Sequence, residues 1–242
     1  MSKETLIIGK KAILDAVKND SLCKAIISNY DKNFFTIVSK YLGDKLIVNN
    51  NKAFYDKKVS KSCNHQLAIG YVSNDNITDL DSLLQHINSK KQATILLLDS
   101  IHDSYNFGSI IRSAENFGVD AIIYRKDRQC QITPLVRKIS TGAISNINLI
   151  SVVNLHMVVT KLKENNFWIY ASCLENTNVN LQEVKFAPRT VLIVGNEQKG
   201  ISKILLDSSD FRVKIATSGK TQSLNAAIAT GILLYAKSYQ TE

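Results

Sequence analysis

Three stretches of the chain combine residue types that do chemistry. Residues 106–114 run Asn-Phe-Gly-Ser-Ile-Ile-Arg-Ser-Ala. Arg112 stands out there, because a guanidinium stays charged and can clamp a phosphate or steady an oxyanion. An exposed helix arginine is the plain alternative. Asn106 or Ser109 could cap a helix, and Gly108 permits a close approach. Residues 194–201, Val-Gly-Asn-Glu-Gln-Lys-Gly-Ile, set Glu197 between Gly195 and Gly200. Such a loop bends tightly and offers backbone groups to a ligand, or it is a simple strand-to-helix turn. Residues 215–227 run Ile-Ala-Thr-Ser-Gly-Lys-Thr-Gln-Ser-Leu-Asn-Ala-Ala. Ser223 fits a helix N-cap there, with Asn225 just behind it pointing toward the loop end. The Gly219-Lys220-Thr221 triplet suggests a triphosphate loop, but that motif needs glycine at position 214, which is lysine. No G-x-G-x-x-G opens a helix, which argues against a dinucleotide site.

The elements that must position these loops show in the hydrophobic pattern. From residue 93 onward, runs that are apolar throughout recur at 94–99, 121–124, 148–152, 168–171, 190–194 and 211–215. Strands of that kind belong to a parallel sheet covered on both faces. Helical spacing falls between them over 108–117, 155–165 and 223–237. The result is an open α/β sheet, in which ligands bind beyond the carboxyl ends of the strands. All three loops follow strands.

Residues 1–74 read as a smaller α/β unit, with a helix over 8–18 and strands at 24–27, 45–48 and 67–72. Residues 75–92 form a polar connecting segment with a short amphipathic helix through Leu80, Leu83, Leu84 and Ile87, and residues 93–242 make up the larger domain. The formal net charge of +9 favours a polyanionic partner. Twelve lysines against six acidic residues put +6 of it in residues 1–74, the pattern of an RNA-gripping module. Cysteines at 23, 63, 130 and 173 make no disulfide framework or zinc spacing, and Cys63 beside His65 lacks further ligands. The start of the chain has no signal-peptide pattern, and no apolar run reaches the ~18 residues of a membrane helix. A soluble, cytoplasmic protein without a metal is expected.

Taken in order, the three loops resemble the motifs of the SpoU family of RNA ribose methyltransferases. Asn106-Phe107-Gly108 with Arg112-Ser113-Ala114 matches the first, Gly195 to Gly200 the second, and Ser223-Leu224-Asn225 the third. The likeness covers residues 93–242. More faintly, Gly9-x-x-Ala12 and His65-Gln66 resemble the ribosomal-protein-like RNA-binding domain of the subgroup acting on large-subunit rRNA. Leu67 stands where that subgroup often has glycine, and Asp103-Ser104 where the family often has Asp-Pro.

The resemblance implies a trefoil-knotted α/β domain, a departure from the unknotted rule. It also implies a homodimer with the active site at its interface and S-adenosylmethionine bound by Gly195, Ile215 and Leu224. The reaction implied is methylation of a ribose 2′-hydroxyl, with guanosine of large-subunit rRNA the first expectation. By the same resemblance Asn106, Arg112, Glu197, Ser223 and Asn225 are the catalytic set. Guanidinium is a poor base, so Arg112 is expected to orient and stabilise charge. Glu197 would hold Arg112 or take the proton, and Asn106, Ser223 and Asn225 would fix the geometry. A tRNA methyltransferase and a catalytically silent ribosome assembly factor are the alternatives.

Overall fold

The computed structural model describes residues 4–18, 21–59, 64–73, 77–127, 129–174, 179–219 and 223–240. Cys63 and Lys220-Thr221-Gln222 lie outside the described residues. The chain divides into two compact units, Met1–Asp75 and Asn76–Glu242.

The first unit contains β1 (Glu4–Ile8), α1 (Lys10–Lys18), β2 (Leu22–Ile27), α2 (Lys32–Leu42), β3 (Leu46–Val48), α3 (Lys52–Lys58) and β4 (Ala68–Ser73). The sheet order is β1-β4-β2-β3. β4 lies antiparallel to β1 and β2, while β2 and β3 are parallel. Ile8 ends a strand instead of opening the helix, because Gly9 at φ +93° turns the chain between the two. α2 and α3 were not evident from sequence. Asp31 caps α2 by accepting from Phe34 N at 3.1 Å, and Asn51 caps α3 by accepting from Ala53 N at 3.0 Å. α2 buries Phe34, Val38 and Leu42 against Ile13, Ala25 and Ile27.

The second unit opens with α4 (Leu80–Ile87) and β5 (Ala93–Asp99), followed by α5 (Ser104–Asn116), β6 (Ala121–Arg125), α6 (Pro134–Ile139) and β7 (Asn148–Val152). Then come α7 (Leu155–Glu164), β8 (Trp168–Ser172), β9 (Val179–Asn180), β10 (Arg189–Gly195), α8 (Lys203–Asp207), β11 (Phe211–Lys214) and α9 (Ala226–Tyr239). The sheet order is β7-β6-β5-β10-β8-β11-β9, and every pairing is parallel. The carboxyl ends of β5, β10, β8 and β11 therefore share one edge.

β5 shows why the sheet is covered on both sides. Leu96 and Leu98 pack with Ile110 and Ile111 of α5 and Leu233 of α9. Ile95 and Leu97 pack with Leu83 of α4, Val158 of α7 and Leu205 of α8. All four β5 side chains have no exposed surface, each contributing about 1.5–3 kcal/mol of burial. Because α4 packs Leu83, Leu84 and Ile87 into this core, the connecting helix is part of the second unit. No described helix is long and apolar enough to cross a membrane.

Candidate active site

The carboxyl edge of the sheet gathers the first and second loops and the end of the third. After β5 the backbone turns through Ser100 at φ +69°, and Asp103 caps α5 by accepting from Asn106 N at 2.7 Å. The cap is thus neither Asn106 nor Ser109. Asn106 instead lies in the first turn of α5, with its side chain free for other work. Its Nδ2 donates to Glu197 Oε1 at 2.6 Å, and its Oδ1 accepts from Asn225 Nδ2 at 2.8 Å. One amide thus joins residues 91 and 119 positions away in the chain.

Glu197 is held by its own loop. Asn196 and Gly200 form a two-bond antiparallel bridge, with N···O distances of 3.0 and 2.8 Å. The Asn196 side chain donates to Ser100 O at 3.0 Å and to Glu197 Oε2 at 3.4 Å, and accepts from Gln198 N and Lys199 N. Asn196 therefore ties the second loop to the end of β5, a role the sequence reading missed. Its place beside Glu197 between two glycines was the available signal. Gly195 is required by space: a Cβ there would stand 2.3 Å from Gly200 C and 2.4 Å from Ile201 N. Asp99, buried at the tip of β5, accepts from Ser202 N at 2.9 Å and fastens the far end of the same loop.

Asn225 does two jobs. Its Oδ1 caps α9, accepting from Ala227 N at 2.9 Å and Ile228 N at 3.3 Å, while its Nδ2 reaches Asn106. The expected cap, Ser223, is exposed and precedes the helix. The reason is local: α9 begins at Ala226, so the residue directly before it supplies the capping oxygen. Leu224 and Ile215 are half-buried at the two ends of the loop after β11, and Ile215 packs against the core beneath α9. Gly195 and Ile215 stand at the ends of β10 and β11, the two strands flanking β8.

Arg112 is not brought into this cluster. It is exposed on α5, and its guanidinium makes no ion pair with any described carboxylate. Six residues separate it from Asn106, which sets the two about 120° apart around the helix. The close approach that Gly108 permits is that of α6 to α5. A Cβ there would lie 2.7 Å from Ile139 Cβ. Among the described residues no group of three or more His, Cys, Asp or Glu could hold a metal.

Residues 93–235 match the SpoU rRNA methylase family. An uncharacterised tRNA/rRNA methyltransferase of Mycoplasma genitalium is 33% identical over 238 residues, covering 97% of each chain. A TrmH-family tRNA/rRNA methyltransferase described as putative, from Staphylococcus epidermidis, is 31% identical over 239 residues, covering 96% of this chain and 94% of its own. The SpoU methyltransferase AviRb of Streptomyces viridochromogenes, solved with its cofactor AdoMet, shares the fold. Its TM-score is 0.75 at 21% identity, covering 98% of this chain and 90% of that one. The chain belongs to the SpoU rRNA methylase family and is an RNA methyltransferase.

Proposed function

We propose that this enzyme transfers the methyl group of S-adenosylmethionine to a ribose 2′-hydroxyl, with guanosine of large-subunit rRNA as its target. The observation that carries the reading is the Asn106 amide bridging Glu197 and Asn225 at the carboxyl edge of the sheet. The slot for the donor lies between the loops after β10 and β11. There the half-buried Ile215 and Leu224 offer apolar surface. Beside them, Ala216–Gly219 make no backbone–backbone hydrogen bond among the described residues. Apolar walls with unclaimed backbone groups suit a flat heterocycle recognised through its edge. Gly195 completes that set through backbone alone.

S-adenosylmethionine supplies an electrophilic methyl group. The chain must orient the ribose and provide an outlet for one proton. Asn106 and Asn225 hold Glu197 in one orientation, with Ser223 exposed beside them for a contact to the sugar. Glu197 either receives the proton or anchors Arg112. Arg112 stabilises the developing oxyanion, which a permanent cation does without changing its own protonation.

Arg112 acts from a second copy of the chain. α9 carries a stripe of Ile228, Ile232, Tyr235 and Tyr239, exposed by 56%, 36%, 59% and 71%. These positions repeat at helical spacing, and α9 packs against the α5 helix that bears Arg112. A dimer across this face buries the stripe and presents Arg112 to its neighbour. The trefoil knot belongs to the same proposal, as does a ribosomal-protein-like role for residues 1–74, supported by their mixed sheet and lysine excess.

The test is transfer of a labelled methyl group to unmodified large-subunit rRNA and to tRNA, followed by nucleoside analysis. 2′-O-methylguanosine in rRNA is the expected product. Label in tRNA alone would replace the target, and label on a base would overturn the reaction.

A further inference from the structure

A cavity opens at the carboxyl edge of the sheet, on the face opposite α5 and α9. It has a volume of about 290 Å³ and lies over the ends of β5, β6 and β7, walled by α7 and α8. Asp99, Arg125, Asn154, His156, Ser202 and Ile204 line it. The helices beside it belong to the core face of Ile95 and Leu97, opposite the face that carries α5 and α9. None of the residues assigned to methyl transfer lies in it.

Arg125 is the feature that calls for a ligand. Its Nε is buried and has no hydrogen-bond partner among the described residues, and its guanidinium forms no ion pair with any described carboxylate. Two other arginines of this unit are held by protein partners, although Arg189 Nε is itself buried without one. Arg189 donates from Nη1 to Ile87 O and Lys90 O and stacks over Phe167. Arg212 pairs with Asp207 and donates from Nε to Leu206 O. Buried cationic donors are found paired or bound to an anion, because desolvation without a partner is costly. Asp99 does not fill that role. Its Oδ1 accepts from Ser100 Oγ and its Oδ2 from Ser202 N, and it makes no ion pair with Arg125. Exposed Lys126 follows Arg125 and exposed Lys203 precedes Ile204, with exposed Asp127 offsetting part of that charge.

We propose that this cavity is a phosphate site for the RNA substrate, with the Arg125 guanidinium as its anchor. The proposal rests on the RNA methyltransferase reading above. Guanidinium forks match phosphate oxygens bidentately, and the cavity shares the sheet edge on which the Asn106–Glu197–Asn225 cluster stands. Arg125, at the end of β6, neighbours the end of β5, whose other neighbour is the end of β10 that leads to Glu197, so an RNA strand with one ribose at the cluster has a phosphate farther along it to offer Arg125. Phosphate contacts fix register and carry no base preference, so the site sets where along the RNA the ribose falls.

The test uses the full chain, with an unmodified large-subunit rRNA fragment titrated at several salt concentrations. Arg125→Gln is expected to weaken binding roughly tenfold and to lower the slope of log K against log salt by about 0.7–0.9. Calorimetric binding of S-adenosylmethionine should stay unchanged. Since Arg125 is partly buried, Asn154→Asp is the companion variant. Asn154 caps α7 by accepting from His156 N and Met157 N, and aspartate caps equally well, so the fold is kept. Its new carboxylate at the cavity repels phosphate and should weaken RNA binding with no loss of thermal stability. Wild-type affinity and salt slope in both variants would overturn the proposal, leaving a water-filled structural cavity. Inorganic phosphate separates this outcome from failure of the RNA reading. If the wild type binds no RNA, stabilisation by phosphate that vanishes in Arg125→Gln still upholds the anion site but assigns it to a small phosphorylated ligand. No such stabilisation overturns it.

Discussion

At the scale of single residues, the site depends on amides more than on charges. Asn106 both donates and accepts, which the isosteric carboxylate, an acceptor alone, does not do. Arg112 stands outside this cluster, and the proposed mechanism has it supply the charge. Arg112→Ala should lower kcat by ~10²–10³-fold while RNA and S-adenosylmethionine still bind, as measured by single-turnover methylation beside calorimetry. Near wild-type turnover would remove Arg112 from the mechanism. Asn225→Asp separates two functions of one side chain. The carboxylate still accepts from Ala227 N and Ile228 N, so thermal stability should hold, but it no longer donates to Asn106 and turnover should fall. Asn225→Ala should lose both, with stability down by about 1 kcal/mol.

At the scale of elements, the strands of the second unit were plain in the sequence because burial on both faces leaves them apolar throughout. The three loops were legible because they sit where those strands end. The caps were not. Asp103, Asn106 and Ser109 all fall within two turns, and each is a good capping residue. The choice depends on where the chain turns after β5, which tertiary structure sets. α2 escaped notice although Phe34, Val38 and Leu42 repeat at helical spacing, because Phe35, Ile37 and Tyr41 in the intervals blur the apolar face. Leu67, where the related subgroup often has glycine, takes φ +53°, and nothing in its side-chain type announces that.

Gly108 gives a prediction at this scale. Gly108→Ala drives a methyl group into Ile139, and the overpacking should cost about 1–3 kcal/mol in chemical denaturation. Tyr55 gives another. Its hydroxyl donates to Asn49 O at 2.7 Å, and burial pushes its pKa up to about 12 from an ordinary 10.0. The neutral phenol is the form the fold prefers. Its contribution is complete below the unfolded pKa and is lost as pH rises through the folded one. The first unit should therefore lose stability between pH 10 and about 12, and Tyr55→Phe should flatten that loss in thermal melts.

At the scale of the whole molecule, two copies should be needed for one reaction. Equimolar Arg112→Ala and Asn225→Asp chains are each impaired, but reassortment yields mixed dimers. Half of all dimers are then mixed, each with one intact site if Arg112 serves its neighbour. Mixing should restore roughly a quarter of wild-type activity, measured by methyl incorporation after subunit exchange. No recovery would place Arg112 in the service of its own chain. Neither a knot nor a dimer is legible from spacing, since periodicity reports which face of an element is buried and not what buries it.

The double duty of Asn225 also makes the first turn of α9 a built-in gauge. The amide protons of Ala227 and Ile228 are sheltered by the same side chain that braces Asn106. If the proposed site is right, fraying of that helix end also releases Asn106, and deuterium uptake at those two positions should rise in the molecules in which the cluster has come apart there, without any substrate.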